Sequence, residues 1–174
     1  MTNMQWAAEI LRQLIAMGVD EIVVCPGARN APFVSLLAKV PGTFSSSGES
    51  ALKVHSFFEE RSAGFFALGR IAASGRPKVV ITTSGTAVAN LLPAVIEAHY
   101  MGLPLVVVSA DRPKGYRGTG SPQTIVQPGI FSVYAQNLGD LEKGEMPNGK
   151  LPKKMPAHLN VCFDEPLIDG APQW

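Results

Sequence analysis

The stretch Lys78-Val79-Val80-Ile81-Thr82-Thr83-Ser84-Gly85-Thr86 contains the repeating unit of the fold. Its first five residues form a short apolar run with several β-branched side chains, which is typical of a strand buried on both sides. The polar turn Ser84-Gly85-Thr86 then opens a segment with helical character, predicted to run from about residue 87 to residue 100. The stretch therefore predicts a strand, a loop and a helix in succession.

The same alternation continues on both sides of this stretch. Further helices are predicted over residues 4–17, 32–38 and 59–73, and further strands over residues 21–25, 53–57, 105–109 and 158–163. Strands that alternate with helices predict a parallel sheet with crossover helices on both of its faces, which is an α/β fold. The length of 174 residues fits one domain, so a single domain is expected over residues 1–174.

Several segments lack this regular pattern. Residues 42–49 are rich in loop-forming residues, and the chain beyond Ala110 carries enough glycine and proline to predict an irregular segment with short elements. Residues 139–156 show no apolar helical stripe, so we expect a shortened or altered connection before the last strand. The closing residues 169–174 resemble the start of a linker.

Composition excludes several classes of function. Lysine and arginine number 15 against 14 aspartates and glutamates, which leaves a formal charge of +1 without any large basic block. Nucleic acid is therefore not an expected partner. No run reaches the roughly 20 apolar residues that span a bilayer, and the first residues lack the pattern of a secretory signal. We expect a cytoplasmic protein that does not bind membranes.

The cysteines and histidines do not predict a metal site. Cys25 and Cys162 each lie within an apolar stretch, as buried core thiols do. His55, His99 and His158 have no mutual spacing typical of metal ligands. The histidines are interpreted as structural or surface residues, and no metal ligand is assigned.

Ligands of open α/β sheets bind at the carboxyl ends of the strands, so the loops that follow the strands are candidate sites. Four segments are selected: Pro26-Gly27-Ala28-Arg29-Asn30, Phe58-Glu59-Glu60-Arg61, Thr83-Ser84-Gly85-Thr86-Ala87, and Ala110-Asp111-Arg112-Pro113 with its extension to Gln127.

Each candidate also has a structural explanation. Glu59 and Glu60 could simply favour the first turn of a helix, where the helix dipole is positive. The turn Ser84-Gly85-Thr86 could cap a helix instead of binding an anion or a polar ring. Arg29 and Arg112 suit a carboxylate-bearing substrate, because a guanidinium binds a carboxylate through paired hydrogen bonds, but surface arginines are common. Arg112 could also pair with its neighbour Asp111.

Taken together, these segments resemble the MenD family, the thiamine-diphosphate-dependent synthases that make 2-succinyl-5-enolpyruvyl-6-hydroxy-3-cyclohexene-1-carboxylate. The similarity extends from the first helix to Glu165-Pro166-Leu167, and its more specific parts are the Ala-Asp-Arg-Pro and Gln-Pro-Gly segments. The motifs are Cys25-Pro26-Gly27-Ala28-Arg29, Phe58-Glu59-Glu60-Arg61 with Ala67-Leu68-Gly69, Thr83-Ser84-Gly85-Thr86-Ala87-Val88-Ala89-Asn90, Ser109-Ala110-Asp111-Arg112-Pro113, and Gln123 through Gln127-Pro128-Gly129.

The resemblance implies the fold of a pyrimidine-binding domain, the N-terminal part of a larger enzyme of menaquinone biosynthesis. It implies that Glu60 bonds to the pyrimidine nitrogen of thiamine diphosphate and is catalytic. The implied cofactor-binding residues are Pro26, Glu60, Ser84, Gly85, Thr86 and Asn90. The implied substrate-binding residues, for 2-oxoglutarate and isochorismate, are Arg29, Arg112 and Gln123.

The same resemblance implies what this chain lacks. No Gly-Asp-Gly segment with a downstream asparagine occurs, so the site for Mg²⁺ and the diphosphate is expected in another domain, across the interface of a homodimer or homotetramer. Ala28 and Pro122 stand where the family usually has a serine and an asparagine. Two alternatives remain: the pyrimidine-binding domain of an acetohydroxyacid synthase or 2-oxoacid decarboxylase, and a non-catalytic α/β assembly module.

Overall fold

A computed structural model of the chain describes residues 1–39 and 52–171. The predicted loop at residues 42–49 lies outside the described residues, as do residues 172–174. The strands are β1 (Glu21–Val24), β2 (Lys53–Ser56), β3 (Lys78–Thr82), β4 (Leu105–Asp111), β5 (Gln136–Leu141) and β6 (Ala157–Cys162). The α-helices are α1 (Asn3–Ala16), α2 (Ala31–Leu37), α3 (Glu60–Ser74), α4 (Thr86–Ala89) and α5 (Leu92–Met101).

The strands described form one sheet of six with the order β2-β1-β3-β4-β6-β5, and every neighbouring pair is parallel. The middle of strand β3 is apolar on both faces: Val79 and Ile81 join the core formed with α1 and α2, whereas Val80 joins the core formed with α3 and α5. A strand covered on both faces needs apolar side chains in both directions. The predicted parallel α/β fold, with helices on both faces, is confirmed.

The strand order places a topological switch between β1 and β3. The chain passes from β1 to β2 on one side, and then crosses to β3 on the other side of β1. Connections that leave in opposite directions open a crevice at the carboxyl ends of β1 and β3, where ligands of such sheets bind. The loops that follow β1 and β3 therefore face one another across this crevice.

The helix predicted over residues 87–100 is interrupted. Helix α4 ends at Ala89, and α5 begins at Leu92 with Pro93 in its first turn. Proline has no backbone N–H, so Pro93 cannot donate to the carbonyl of Ala89 in a continuous helix. The interruption leaves Asn90 exposed at the end of α4, close to the start of α3.

The region after Ala110 also differs from the prediction. Strand β4 continues to Asp111, which pairs with Cys162 of β6, so Ala110 and Asp111 belong to the strand and not to the loop. Strand β5 was not predicted because its sequence, Gln-Asn-Leu-Gly-Asp-Leu, is polar. An edge strand that pairs only with β6 needs few buried side chains, and here Leu138 and Leu141 supply them.

The predictions for residues 139–156 and for the closing residues have different outcomes. Residues 142–156 connect β5 to β6 without a described helix, as the sequence predicted. The linker prediction is wrong at Asp169, whose carboxylate accepts hydrogen bonds from the backbone N–H of Asn3 at 2.7 Å and of Met4 at 3.1 Å. A carboxylate at the first turn of α1 satisfies amides that have no partner within the helix.

Cys25 and Cys162 are buried, as predicted for core thiols. Within the described ranges, no helix is both long enough and apolar enough to span a bilayer. The same residues contain no group of three or more histidine, cysteine or carboxylate side chains placed to hold a metal ion.

Candidate functional site

The loop after β1 is held in shape by the buried side chain of Asn30. Its Oδ1 accepts a hydrogen bond from the N–H of Gly27 at 2.8 Å, and its Nδ2 donates to the carbonyl of Cys25 at 2.9 Å. One amide thus closes the loop on both sides. Pro26 and Ala28 remain exposed at the surface of the loop.

Gly27 brings this loop against the loop that follows β3. A Cβ atom on Gly27 would lie 2.5 Å from the Cβ of Thr83, closer than any real contact of that kind. Only a glycine allows the two loops to approach this closely. The loops that follow β1 and β3 are therefore in direct contact at Gly27 and Thr83.

The turn after β3 is held by two glutamines of the segment that follows β4, Gln123 and Gln127. Gly85 has a φ of 79°, and a Cβ there would lie 2.7 Å from Cγ of Gln123. The N–H of Gly85 donates to Oε1 of Gln127 at 2.8 Å, and Nε2 of Gln123 donates to the carbonyl of Ser84 at 2.9 Å. Gly85 itself is the N-cap of α4, and no described side chain caps that helix. The alternative of a serine or threonine cap is thus wrong.

The two adjacent glutamates have different roles. Glu59 is the N-cap of α3: its carboxylate accepts hydrogen bonds from the N–H groups of Arg61 at 2.8 Å and Ser62 at 2.7 Å. The hydroxyl of Ser62 also donates to it at 2.6 Å. These bonds, that of the Ser62 hydroxyl first, lower the pKa of Glu59 below its ordinary value. The helix-start explanation therefore applies to Glu59.

Glu60 is half-buried and has fewer hydrogen-bond partners than Glu59. Its Oε2 accepts a hydrogen bond from Nδ2 of Asn90 at 3.3 Å, and within the described part of the chain no donor reaches its Oε1. The pKa of the Cys25 thiol is raised to about 12, first by burial and then by the negative charges of Glu60 and Glu59. Cys25 directly follows β1, so this influence places the Glu60 carboxylate near the carboxyl end of that strand.

The two candidate arginines lie on the same side of the sheet. The guanidinium of Arg29 is buried, with one nitrogen donating to the carbonyl of Phe163 at 3.0 Å and another to Glu165 at 3.4 Å. Burial, and after it the positive charge of Arg112, lower the pKa of Arg29. Two guanidinium groups that repel one another favour an anion near both.

Arg112 is the more accessible of the two. Its Nε donates to the carbonyl of Pro122 at 3.3 Å, and its guanidinium carbon lies 5.8 Å from the ring centre of Tyr116. The only group of Arg112 that donates to Asp111 is its backbone N–H, and the Asp111 carboxylate pairs instead with the Arg117 guanidinium at 3.1 Å. The suggested ion pair between Asp111 and Arg112 is not formed.

Sequence reasoning gave no role to three residues that organise the site, namely Asn30, Gln127 and Asn160. Asn160 was detectable as a polar residue inside an apolar strand, where it needs partners. Asn30 and Gln127 lie in loops rich in polar residues, so nothing in the sequence distinguishes them from solvated neighbours. Their hydrogen bonds become visible only when the strands that hold their partners are placed.

Comparison with known proteins agrees with this geometry. Residues 4–130 match the family described as thiamine pyrophosphate enzyme, N-terminal TPP binding domain. A 2-succinyl-5-enolpyruvyl-6-hydroxy-3-cyclohexene-1-carboxylate synthase of Bdellovibrio bacteriovorus is 55% identical over 172 residues, which are 98% of this chain and 31% of that protein. The enzyme of the same name from Chloroflexus aurantiacus is 43% identical over 94% of this chain and 29% of its own length.

A solved structure has the same fold. The thiamine diphosphate-dependent 4-hydroxybenzoylformate decarboxylase of Rhodococcus jostii RHA1 superposes with a TM-score of 0.69 at 19% identity, over 93% of this chain and 30% of the decarboxylase. The chain therefore spans only about a third of the length of the proteins that it matches. It belongs to the thiamine pyrophosphate enzymes as an N-terminal TPP binding domain, on the branch of the 2-succinyl-5-enolpyruvyl-6-hydroxy-3-cyclohexene-1-carboxylate synthases.

Proposed function

We propose that this chain is the pyrimidine-binding domain of a transferase that decarboxylates 2-oxoglutarate and adds the remaining four-carbon unit to isochorismate, in menaquinone biosynthesis. The relatives that cover almost all of the chain carry the name of that synthase. The observation that carries the proposal is the difference between Glu59 and Glu60. Glu59 is engaged in capping α3, whereas Glu60 keeps an acceptor oxygen open beside the crevice.

The residues around the crevice fit the pyrimidine end of thiamine diphosphate. A flat ring with nitrogen atoms needs a carboxylate acceptor, backbone polar groups and exposed side chains to lie against, and the loops supply all of these. When bound, the cofactor supplies a nucleophilic carbon and an electron sink. Glu60 would accept a hydrogen bond from the protonated ring nitrogen, and a partly shielded carboxylate makes that bond stronger. The other residues assigned to this end are Pro26, Ser84, Gly85, Thr86 and Asn90.

Arg29, Arg112 and Gln123 are assigned to the substrates. Both substrates carry more than one carboxylate, and a guanidinium binds a carboxylate through charge-assisted hydrogen bonds. Arg112 has an accessible guanidinium, and Arg29 would act as a fixed positive charge behind it. Ala28 and Pro122 offer no side-chain hydrogen bond, so substrate affinity depends more heavily on these arginines.

Other parts of the proposed enzyme lie outside this chain. We assign Mg²⁺ and the diphosphate of the cofactor to a further domain of a partner subunit, in a cytoplasmic homodimer or homotetramer. Residues 1–174 then constitute one domain of each subunit. The chain alone would have neither synthase activity nor appreciable affinity for the cofactor, since metal and diphosphate contacts provide most of the anchoring.

The deciding experiment compares Glu60→Gln with Glu59→Gln in the complete protein. Glutamine at position 60 keeps the size of the side chain but cannot stabilise positive charge on the ring, so turnover should fall by roughly 100-fold or more. Glutamine at position 59 should lower stability slightly through a weaker helix cap, with turnover close to the parent. The mechanistic readout is hydrogen–deuterium exchange at the thiazolium carbon of bound cofactor, measured by quenched NMR.

Exchange that is as fast in Glu60→Gln as in the parent would remove Glu60 from the mechanism. Slow exchange in Glu59→Gln alone would show that the wrong glutamate had been selected.

A further inference from the structure

Gln127 is completely buried, and its side chain links the turn after β3 to two strands. Its Oε1 accepts the N–H of Gly85 at 2.8 Å. Its Nε2 donates to the carbonyl of Ala110 in β4 at 3.3 Å and to Oδ1 of Asn160 in β6 at 2.8 Å. Both ends of this amide are therefore engaged, and the side chain has one orientation that satisfies all three partners.

The partner of Gln127 in β6 is itself held firmly. Oδ1 of Asn160 also accepts a hydrogen bond from the hydroxyl of Ser109 at 2.7 Å. Its Nδ2 donates to Asp111 at 3.0 Å and to Asp140 at 2.8 Å. These contacts span β4, β6 and β5 in a buried environment, where a fully satisfied polar network is rigid. The position of Gln127 is thus determined by the sheet and not by its own loop.

Gly85 depends on this link because of its place in the fold. As the N-cap of α4, it precedes the helix, so its N–H has no helical carbonyl to donate to. A buried N–H without an acceptor is costly, and Gln127 is the acceptor that the structure provides. Without it the turn must move toward water or toward another acceptor.

We infer that Gln127 is a positioning residue, which holds the Ser84-Gly85 turn in place and thereby sets the affinity of the pyrimidine site. The inference rests on the proposed function, in which this turn lines the pyrimidine pocket. Gln123 acts differently: it is exposed, it contacts the carbonyl of Ser84, and it remains a substrate-binding candidate. Gln127 does not reach the surface, so its influence on a ligand passes through Gly85.

The test uses Gln127→Met in the complete protein, with Ser109→Ala as the matched control. Methionine has a similar length but cannot accept the Gly85 N–H. Ser109→Ala removes a hydrogen bond to the same Asn160 and leaves the bond between Gln127 and Gly85 intact. Both variants disturb one network, but only the first releases the turn.

Two quantities are measured. Amide hydrogen exchange of a peptide that contains Gly85, in protein free of cofactor, should accelerate about tenfold in Gln127→Met and remain at the parent rate in Ser109→Ala. The concentration of thiamine diphosphate that gives half-maximal activity should rise about tenfold in Gln127→Met, with smaller changes in the KM values of the substrates. Unchanged Gly85 exchange, or faster exchange with unchanged cofactor affinity, would overturn the inference.

A second variant keeps the test valid if Gln127→Met does not fold. Gln127→Glu retains an acceptor for the Gly85 N–H while losing the amide donor to Ala110 and Asn160, so it should preserve slow exchange at Gly85. Fast exchange in this variant would also overturn the inference. The Glu60 experiment does not depend on Gln127. A negative result with the Gln127 variants therefore leaves the proposed function intact, and a negative result with Glu60→Gln is recognised separately.

Discussion

Two glutamates at opposite ends of the parallel sheet, Glu21 and Glu60, have contrasting surroundings. At the amino end, Glu21 of β1 receives two hydrogen bonds of 2.7 Å from the guanidinium of Arg70 and lies 3.6 Å from Lys78. Lys78 in turn reaches Asp20 at 2.6 Å. At the carboxyl end, Glu60 has a single described contact of 3.3 Å, to an uncharged amide.

This difference separates structural charges from charges available to a ligand. The pKa of Glu21 is lowered from 4.5 to about 2, because the hydrogen bond from Arg70 and the charges of Lys78 and Arg70 outweigh the effect of burial. A carboxylate whose partners all belong to the domain stabilises the fold, and it has no acceptor oxygen available for a ligand. Glu60 and Arg112 are only partly engaged, so a bound molecule can still use them.

The largest effect on stability is expected from Glu21→Gln. The substitution removes the charge that faces Arg70 and leaves Lys78, which is 1% exposed, with Asp20 as its one counter-charge among the described residues. The lowered pKa corresponds to about 3 kcal/mol of stabilisation. We expect a loss of that order in the free energy of unfolding, measured by urea titration, with unchanged activity per folded molecule of the complete protein.

Glu9→Gln provides the control, since Glu9 forms an exposed ion pair with Arg12 at 2.9 Å. Its loss should cost less than about 1 kcal/mol. An equal loss in the free energy of unfolding for Glu21→Gln and Glu9→Gln would contradict the distinction between a buried cluster with all its partners and an exposed surface pair.

Arg112→Ala should weaken substrate use without destabilising the domain. Loss of one charge-assisted contact is expected to lower kcat/KM for the carboxylate substrates by roughly tenfold to a hundredfold, while the affinity for cofactor changes little. Arg29→Ala should lower kcat/KM similarly but also lower the unfolding midpoint, because Arg29 is buried and donates to the carbonyl of Phe163.

Arg76→Ala is the matched control at the other end of the sheet. Arg76 is half exposed and pairs with Asp20 at 3.0 Å. Its kinetics should equal those of the parent. If Arg112→Ala and Arg29→Ala also leave the kinetics unchanged, these arginines belong with the structural charges.

The smallest effect concerns the pH dependence of stability. Because the folded-state pKa of Glu21 lies below its ordinary value, its contribution is complete above pH 4.5 and is lost as the pH falls through about 2. Between pH 5 and pH 4 the free energy of unfolding should therefore fall more in the parent than in Glu21→Gln. Urea titrations of both proteins at these two pH values measure the difference, and parallel losses would contradict the assignment.

The apolar strands could be predicted from the sequence because they are buried on both faces. Strands β1, β3 and β4 each contain a run of at least three apolar residues, and β6 is buried along its whole length although His158 and Asn160 interrupt its apolar residues. These four strands form the centre of the sheet. Strand β5 at the edge has no such run, so its existence depends on pairing with β6. The break between α4 and α5 was encoded in Pro93, but helical character on both sides concealed it.

The site was predictable as a set of loops but not in its internal order. The sequence could not show which of Glu59 and Glu60 caps the helix. Both residues lie at a helix start, and they differ only in the direction in which their side chains point. Nor could it find the link from Gln127 to Gly85, since that bond joins residues on separate loops. Residues whose roles follow from burial are visible in a sequence pattern, whereas residues whose roles follow from a single hydrogen bond are not.

The contact between Gly27 and Thr83 limits how this sequence can change over evolutionary time. Even an alanine at position 27 would place its Cβ 2.5 Å from the Cβ of position 83, an atom that every residue except glycine possesses. A larger residue at position 27 therefore requires a glycine at position 83, and the two positions must change together. A larger residue at position 27 alone would separate the two loops that form the crevice.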